Sequence, residues 1–250
     1  MAIKYLFILL FSSLLHAETL FTTLDFTEHE EYNKTKRLFS YGKFKIIESK
    51  LVPIGWSKDD KFAYIIVPPD EAHGFMRAEF VIQNMLTDKI LFKRRYDNSN
   101  DSSAQYPTNI INFMRDKEAD INASLREHHI NRVQENVLQS FPIILSEKTI
   151  NIANKMLYET NAKGYLLNEK ILSEQSISLF TVESYIETFR EKIFSGQLGY
   201  FSYESLVLGY IPSPFNDSIA VILAYIERGY EGPPHTIHFQ IIGASISQPL

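Results

Sequence analysis

Ile54-Gly-Trp-Ser-Lys-Asp-Asp-Lys-Phe-Ala-Tyr-Ile-Ile66 packs a strand end, a polar turn and a strand start into thirteen residues. Ser57, Asp59 and Asp60 are side chains that hydrogen-bond their own backbone in turns, and the β-branched and aromatic run after them suits a pleated, half-buried surface. The chain repeats this grammar near its other end, in Leu208-Gly-Tyr-Ile-Pro-Ser-Pro-Phe-Asn-Asp-Ser-Ile-Ala-Val-Ile-Leu223. Gly55-Trp56 corresponds there to Gly209-Tyr210, Asp59-Asp60 to Asn216-Asp217, and Ala63 to Ala220. After each strand comes a Pro/Gly loop, 67–75 and 228–235, and then a second strand around Phe80-Val81-Ile82 or Phe239-Gln240-Ile241-Ile242. The separation of about 155 residues is too wide for a tandem propeller or solenoid period. Two explanations stand: a duplicated β unit with inserted material, or two hairpins alike by chance.

Working outward, Leu20 to Leu24 reads as a strand, and Glu28 to Arg37 as solvated loop or a helical turn. Phe44-Lys-Ile-Ile47 is a further short strand. The polar turn Thr87-Asp-Lys89 between apolar runs is a hairpin signal, so residues 40–96 form an antiparallel meander. Asp97-Asn-Ser-Asn-Asp-Ser-Ser103 has no apolar residue and marks a linker. Pro107 and Thr108 then open an amphipathic helix over 108–129, whose stripe is Ile110, Met114, Ile121 and Leu125. The helix ends near His128-His129 or continues to Leu138, and Pro142 stops it in either case. Beyond it, Ile150–Asn154 and Met156–Tyr158 read as one strand each, and Ile177–Val182 alternates with period two. Residues 184–192 fit a short helix or a strand, Gly196 and Gly199 break the chain, and Ile241–Ile246 closes the sheet. The expected class is therefore mainly β (α+β). The regions are 1–17, 18–100 (N-terminal β), 101–142 (linker and helix) and 143–250 (C-terminal β), the last alternatively continuous with 18–100.

Residues 1–17 have the layout of a signal peptide: Lys4 in a short positive segment, an apolar stretch from Tyr5 to Leu15, and Ala17 at the cut. The apolar run is shorter than the about 20 residues that span a bilayer, so no membrane span is expected in the mature chain. With no cysteine, a mature chain of about 230 residues must rely on its core, which fits a bacterial periplasm. The net charge is −5, or −6 once Lys4 is lost. Lys93-Arg94-Arg95 is the only basic run, so nucleic acid is not an expected partner. Eighteen Phe and fourteen Tyr against one Trp favour sheet packing.

Trp56-Ser57-x-Asp59-x-x-x-Ala63-Tyr64 resembles the strand-opening signature of TolB-like and related β-propeller blades, in which Ser and Asp fix the turn and an Ala-hydrophobic pair enters the sheet. Asp60 stands where such a turn usually carries Gly, and further blade signatures are lacking, so a complete propeller is not expected. The paired early and late patterns together resemble a group of uncharacterised exported bacterial proteins. That likeness spans most of the mature chain and implies export and a β-rich fold, without an activity.

Motifs that carry chemistry are sparse. His128-His129 point about 100° apart on a helix, and His235-x-x-His238 would leave opposite faces of a strand, so no metal is expected. There is no Gly-x-Ser-x-Gly elbow and no cysteine nucleophile, so no catalytic residue or cofactor is assigned. The Pro/Gly loops share two prolines, acidic residues, a Gly, a His and an aromatic. If the hairpins are copies, His73, Phe75, Tyr230 and His235 line one rim, with Asp70, Glu71 and Glu231 giving it negative charge. Such a rim suits a small cationic or sugar-like ligand or a partner protein. The expected function is a non-enzymatic binding or envelope-interaction module. The alternative is a periplasmic hydrolase or metal-dependent enzyme with a site assembled from distant residues.

Overall fold

The computed structural model describes residues 21–40, 42–70, 75–99, 114–133, 137–141, 143–144, 149–159, 164–167, 170–173, 177–186, 189–197, 202–229 and 232–246. The described residues are mainly strand, paired antiparallel apart from one short parallel pair, and among them no sheet closes into a complete barrel or propeller. The expected class is thereby met. No helix among the described residues is long and apolar enough to cross a membrane.

The organising stretch forms β2 (Lys50–Trp56) and β3 (Lys61–Val67), which continue into β4 (Arg77–Asn84) and β5 (Ile90–Asp97) as an antiparallel meander. A short strand, β6 (Asn131–Arg132), adds to the free edge of β2, giving the order β5-β4-β3-β2-β6. Both faces of β2, β3 and β4 are buried, whereas β5 is mostly exposed. Phe62, Tyr64 and Val81 face a second sheet, whereas Ala63, Ile65, Phe80 and Ile82 face a helix. The alternation along β3 is the period-two pleat with an apolar residue at every position. Along β2 the phase changes: Leu51 faces the second sheet, Val52 and Ile54 the helix, and Trp56 the second sheet again. A bulge between Pro53 and Gly55 causes the reversal, because one extra residue flips every side chain after it.

The second sheet has the order β1-β15-β14-β13, from β1 (Ile47–Glu48), β13 (Ser202–Pro212), β14 (Ser218–Glu227) and β15 (Thr236–Ser245). Ala220, Ile222, Ala224 and Ile226 of β14 join Ile237, Phe239 and Ile241 of β15 in one core with Trp56, Phe62 and Tyr64. Between the two sheets in sequence come β7 (Ile143–Ile144), β8 (Thr149–Glu159), β11 (Ile177–Ile186) and β12 (Phe189–Gln197), which pair as β12-β11-β8-β7. A small hairpin, β9 (Gly164–Leu167) and β10 (Lys170–Ser173), stands between them in the chain.

Helix α1 (Glu30–Phe39) precedes the sheets and α2 (Glu118–Glu127) follows β5. Met114, Ile121 and Leu125 are buried against the first sheet, as the stripe predicts; Ile110 lies outside the described residues. Asp120 ties α2 to β5 by accepting from Arg94 and from Tyr96 Oη. The helix ends at Glu127, with His129 at φ 57° and Ile130 returning to the core, so it does not run on to Leu138.

Several expectations are corrected. Of the two readings of residues 28–37, the helical one holds and is longer than a turn: 30–39 form a ten-residue helix, favoured by Glu30 and Glu31 in its first turn, Lys36 and Arg37 in its last, and His29 Nδ1 accepting from Tyr32 N. Residues 21–24 are not a strand, although Leu24 N donates to Leu51 O. The strand read at 44–47 is reduced to β1, which pairs parallel with the start of β15 at Thr236 and Ile237. Residues 149–159 are one strand, not two, because pairing with the whole of β11 carries it through Asn154 and Lys155. Of the two readings of 184–192, strand holds for 184–186 and 189–192, and Gly196 does not break the chain but sits inside β12.

The two meanders share their local construction. Each first strand has a bulge beside its glycine, at Pro53/Gly55 and at Val207/Gly209. Ser57 N bonds Lys61 O, and Ser213 N bonds Ser218 O, so a serine closes each turn. The third strand's end returns to the turn in both: Met85 N donates to Asp60 O, and Ile246 N donates to Asp217 O. The glycines are not in equivalent positions, since Gly55 lies two residues before Ser57 and Gly209 four before Ser213. Both are nonetheless crossed by the same segment. A Cβ on Gly55 would lie 2.0 Å from Asn131 O, and one on Gly209 would lie 2.3 Å from Gln139 O.

Candidate functional site

The hairpin turns of the two meanders touch. Ser218 Oγ donates to Asp60 Oδ1 at 2.5 Å, and Asn216 Nδ2 donates to Lys58 O at 3.2 Å. The loops at 67–76 and 228–235 leave the far ends of β3 and β14, away from that junction. There the chain crosses between sheets in a few residues: Ile47 N donates to His235 O, Ser49 N to Ile237 O, and Lys50 pairs with Val67. Both loops therefore belong to one end of the molecule.

Of the residues expected on a shared rim, Phe75 is half-buried with the Arg77 guanidinium 5.6 Å from its ring centroid. His235 is half-buried, edge-on to Phe39 at 6.4 Å, and burial followed by the Arg228 charge holds its imidazole below the ordinary histidine range. Asp70 is half-buried. Glu71, His73, Tyr230 and Glu231 lie outside the described residues. The rings that are described thus rest on neighbours from outside the opposite loop: Phe75 on Arg77, and His235 on α1.

At this same end a cleft of about 250 Å³ opens between the 23–27 segment, α1 and the β1–β2 crossing. Sequence and packing build it in steps. Tyr32 sits on the inner face of α1 and packs on Phe26 and Phe239, with centroids 5.4 and 6.4 Å away. That contact docks α1 over the second sheet and brings Tyr32 Oη to Glu48 Oε2 at 2.5 Å. Lys36, one turn on, reaches Glu48 Oε1 at 2.6 Å and lies 5.4 Å from the Tyr32 centroid. Burial and the Glu48 hydrogen bond push the Tyr32 phenol up, so it stays protonated and donates to the carboxylate. Asp25 is held below the usual carboxylate range by the Thr27 amide and hydroxyl.

Ser49 completes the lining. It is 4% exposed, and its hydroxyl has no hydrogen-bond partner among the described residues. The hydroxyl oxygen has less than 1 Å² of accessible surface, so it is sealed off from the cleft. Both carboxylates on the walls are engaged, Glu48 by Tyr32 and Lys36 and Asp25 by the Thr27 amide, and among the described residues no histidine lines the cleft. The arrangement can hold a polar molecule, but it does not form an activated nucleophile.

A second cluster lies on the second sheet, at paired positions of β14 and β15. Tyr225 stacks on His238 at 5.3 Å, and Thr236 Oγ1 and Glu227 Oε2 lie 3.0 and 3.4 Å from His238 Nε2. Both partners reach the same ring nitrogen. A carboxylate–imidazole–hydroxyl relay needs them on opposite nitrogens, so this geometry is not a triad. Burial outweighs the nearby carboxylate and brings His238 down to about 4. Among the described residues, no group of three or more His, Asp or Glu is placed to hold a metal.

The sequence argument missed Tyr32, Lys36, Glu48 and Ser49. The only local signal was Tyr32 and Lys36 at a spacing of four within a segment acidic at its start and basic at its end. Glu48 and Ser49 join them only through β1's long-range pairing with β15. Comparison with protein-family models, with curated proteins and with solved structures gave no match.

Proposed function

We propose that the protein is an exported, non-enzymatic binding module that holds a small polar ligand in the cleft beside α1. The observation that carries this is the cleft itself, about 250 Å³ with the polar side chains of Tyr32, Lys36, Glu48, Lys50 and Asp25 on its walls. Binding sites are concave, with a few placed polar groups, and loops mounted on a rigid sheet are where such sites form. Tyr32 and Phe26 anchor one wall in the core, so the cleft is pre-formed. Export is part of the proposal and rests on the Lys4, Tyr5–Leu15 and Ala17 layout.

Native mass spectrometry of protein purified gently from its own envelope fraction tests both points. The expected mass begins at Glu18 and carries a small-molecule adduct in near-stoichiometric amount. Thr23→Trp, which fills the cleft, should lose the adduct and keep the fold. Full-length chain in the cytosol would overturn export. An adduct retained by Thr23→Trp would remove the cleft from the proposal.

A further inference from the structure

We infer that residues 34–45 dock the protein on an anionic lipid surface, with Phe44 entering the headgroup layer and the cations around it meeting lipid phosphates. This surface adjoins the cleft and does not depend on it. Between Tyr32 and Ile47 the chain carries Lys34, Lys36, Arg37, Lys43 and Lys45 and no carboxylate, in a protein of net charge −5. Lys36 is paired with Glu48. The other four cations have no carboxylate partner among the described residues, and the Lys43 ammonium lies 5.5 Å from the Phe44 ring centroid. Basic side chains in a helix's last turn complement its carbonyl end, which accounts for Lys36 and Arg37. It does not account for Lys43 and Lys45, which lie beyond the helix.

The apolar side chains point to lipid and away from an acidic protein. Leu38 is 63% exposed and Phe44 43%, and exposed apolar groups set among charges mark interaction surfaces. Lys34, Arg37 and Leu38 are exposed on the side of α1 opposite the buried Tyr32. Past α1 the chain leaves the body and returns to the same point. Phe39 rests edge-on to His235 at 6.4 Å, and Ile47 N donates to His235 O at 2.9 Å. Between those two feet, residues 42–45 are exposed throughout, and a Cβ on Gly42 would meet nothing within 4 Å. A partner's peptide is captured in a groove or along a strand edge, and a protruding tip is neither. A ring flanked on both sides by long cationic side chains suits a headgroup layer, where the ring is buried and the ammonium groups stay with phosphate. Each Lys or Arg beside an anionic leaflet strengthens binding about fivefold.

Vesicle flotation tests this with the chain from Glu18, so that the apolar run at 5–15 cannot itself take up lipid. The vesicles are phosphatidylcholine alone, and equal parts phosphatidylcholine and phosphatidylglycerol. The chain should float with the anionic vesicles only, and release in about 1 M salt, where charges are screened within about 3 Å. Lys43→Glu with Lys45→Glu should weaken binding at least about tenfold, with Tm unchanged because both side chains are exposed. Phe44→Trp adds a reporter at the tip, and its emission should move to the blue on binding, while Trp56 is fully buried and does not respond. No flotation with the anionic vesicles, or equal flotation with both kinds, overturns the proposal. So does binding that survives the double charge reversal, or bound Phe44→Trp whose emission stays that of an exposed indole. Polyglutamate bound as tightly as the vesicles, with Phe44→Ser without effect, would assign the surface to an acidic protein instead.

Discussion

A methyl group on Gly55 would come within 2.0 Å of the Asn131 carbonyl oxygen, closer than any real Cβ contact, and the obstacle is backbone. Gly42 has φ 57° and nothing within 4 Å of the same virtual atom. The two residues separate the reasons for glycine. Gly42→Ala should cost only the left-handed backbone, about 1 kcal/mol. Gly55→Ala must push β6 off the edge of β2 and should cost at least about 2–3 kcal/mol. Urea midpoints at unchanged slope check this, and equal losses for the two variants would mean that Asn131 does not approach Gly55. Asp60 makes a related point. It holds φ 64°, the conformation for which a blade-type turn uses glycine, and its carboxylate also receives the Ser218 hydroxyl. Aspartate tolerates that backbone and adds a bond between the two meanders that glycine cannot make.

Element by element, what was legible followed from short-range periodicity. The stripe read over 108–129 predicted the burial of Met114, which precedes α2, and of Ile121 and Leu125 on it, all at or below 3% exposure. Leu125→Asp should lower stability by several kcal/mol, because a carboxylate would be placed unpaired among Ile121, Ile130 and the first sheet. An unchanged melting temperature would show the stripe to be solvent-facing. The meander of β2 to β5 was readable for the same reason, with Ser57, the Asp59-Asp60 turn and Thr87–Lys89 punctuating apolar runs. Helix α1 was not, because only Tyr32 of its residues is buried and its charges resemble those of a solvated loop. Parallel pairing of β1 with β15 joins residues 47 and 236, a relation that no local pattern carries. The cleft inherits that difficulty: two of its key residues sit on α1 and two on the β1 crossing.

For the molecule as a whole, the two sheets share one core, and charged or polar groups buried around it set how stability varies with pH. His238 lies on β15 beside Tyr225, Thr236 and Glu227, and burial lowers its imidazole from the ordinary 6.5 to about 4. The folded state therefore prefers the neutral ring. The resulting stability is fully present above about pH 6.5 and is lost as pH falls through about 4. Asp88 acts in the opposite sense. It accepts from Gly243 N at 2.6 Å across the seam and from Gln83 Nε2 at 3.0 Å, yet burial raises its carboxyl above the ordinary 3.8. Its raised value gives stability that is present at lower pH and is lost as pH rises through the folded value. The two windows differ: the Asp88 change begins at 3.8 and runs upward, while the His238 change begins at 6.5 and runs downward. A shift of this size for a side chain only 25% exposed corresponds to about 3 kcal/mol at most, from roughly 1.4 kcal/mol per pKa unit. Between pH 7 and 4.5 the wild type should lose a large part of that, read from urea midpoints. His238→Gln, which keeps a polar group beside Thr236 without a titrating ring, should flatten this limb and leave the upward influence of Asp88. Parallel pH profiles for wild type and variant would show that His238 is not the group being charged.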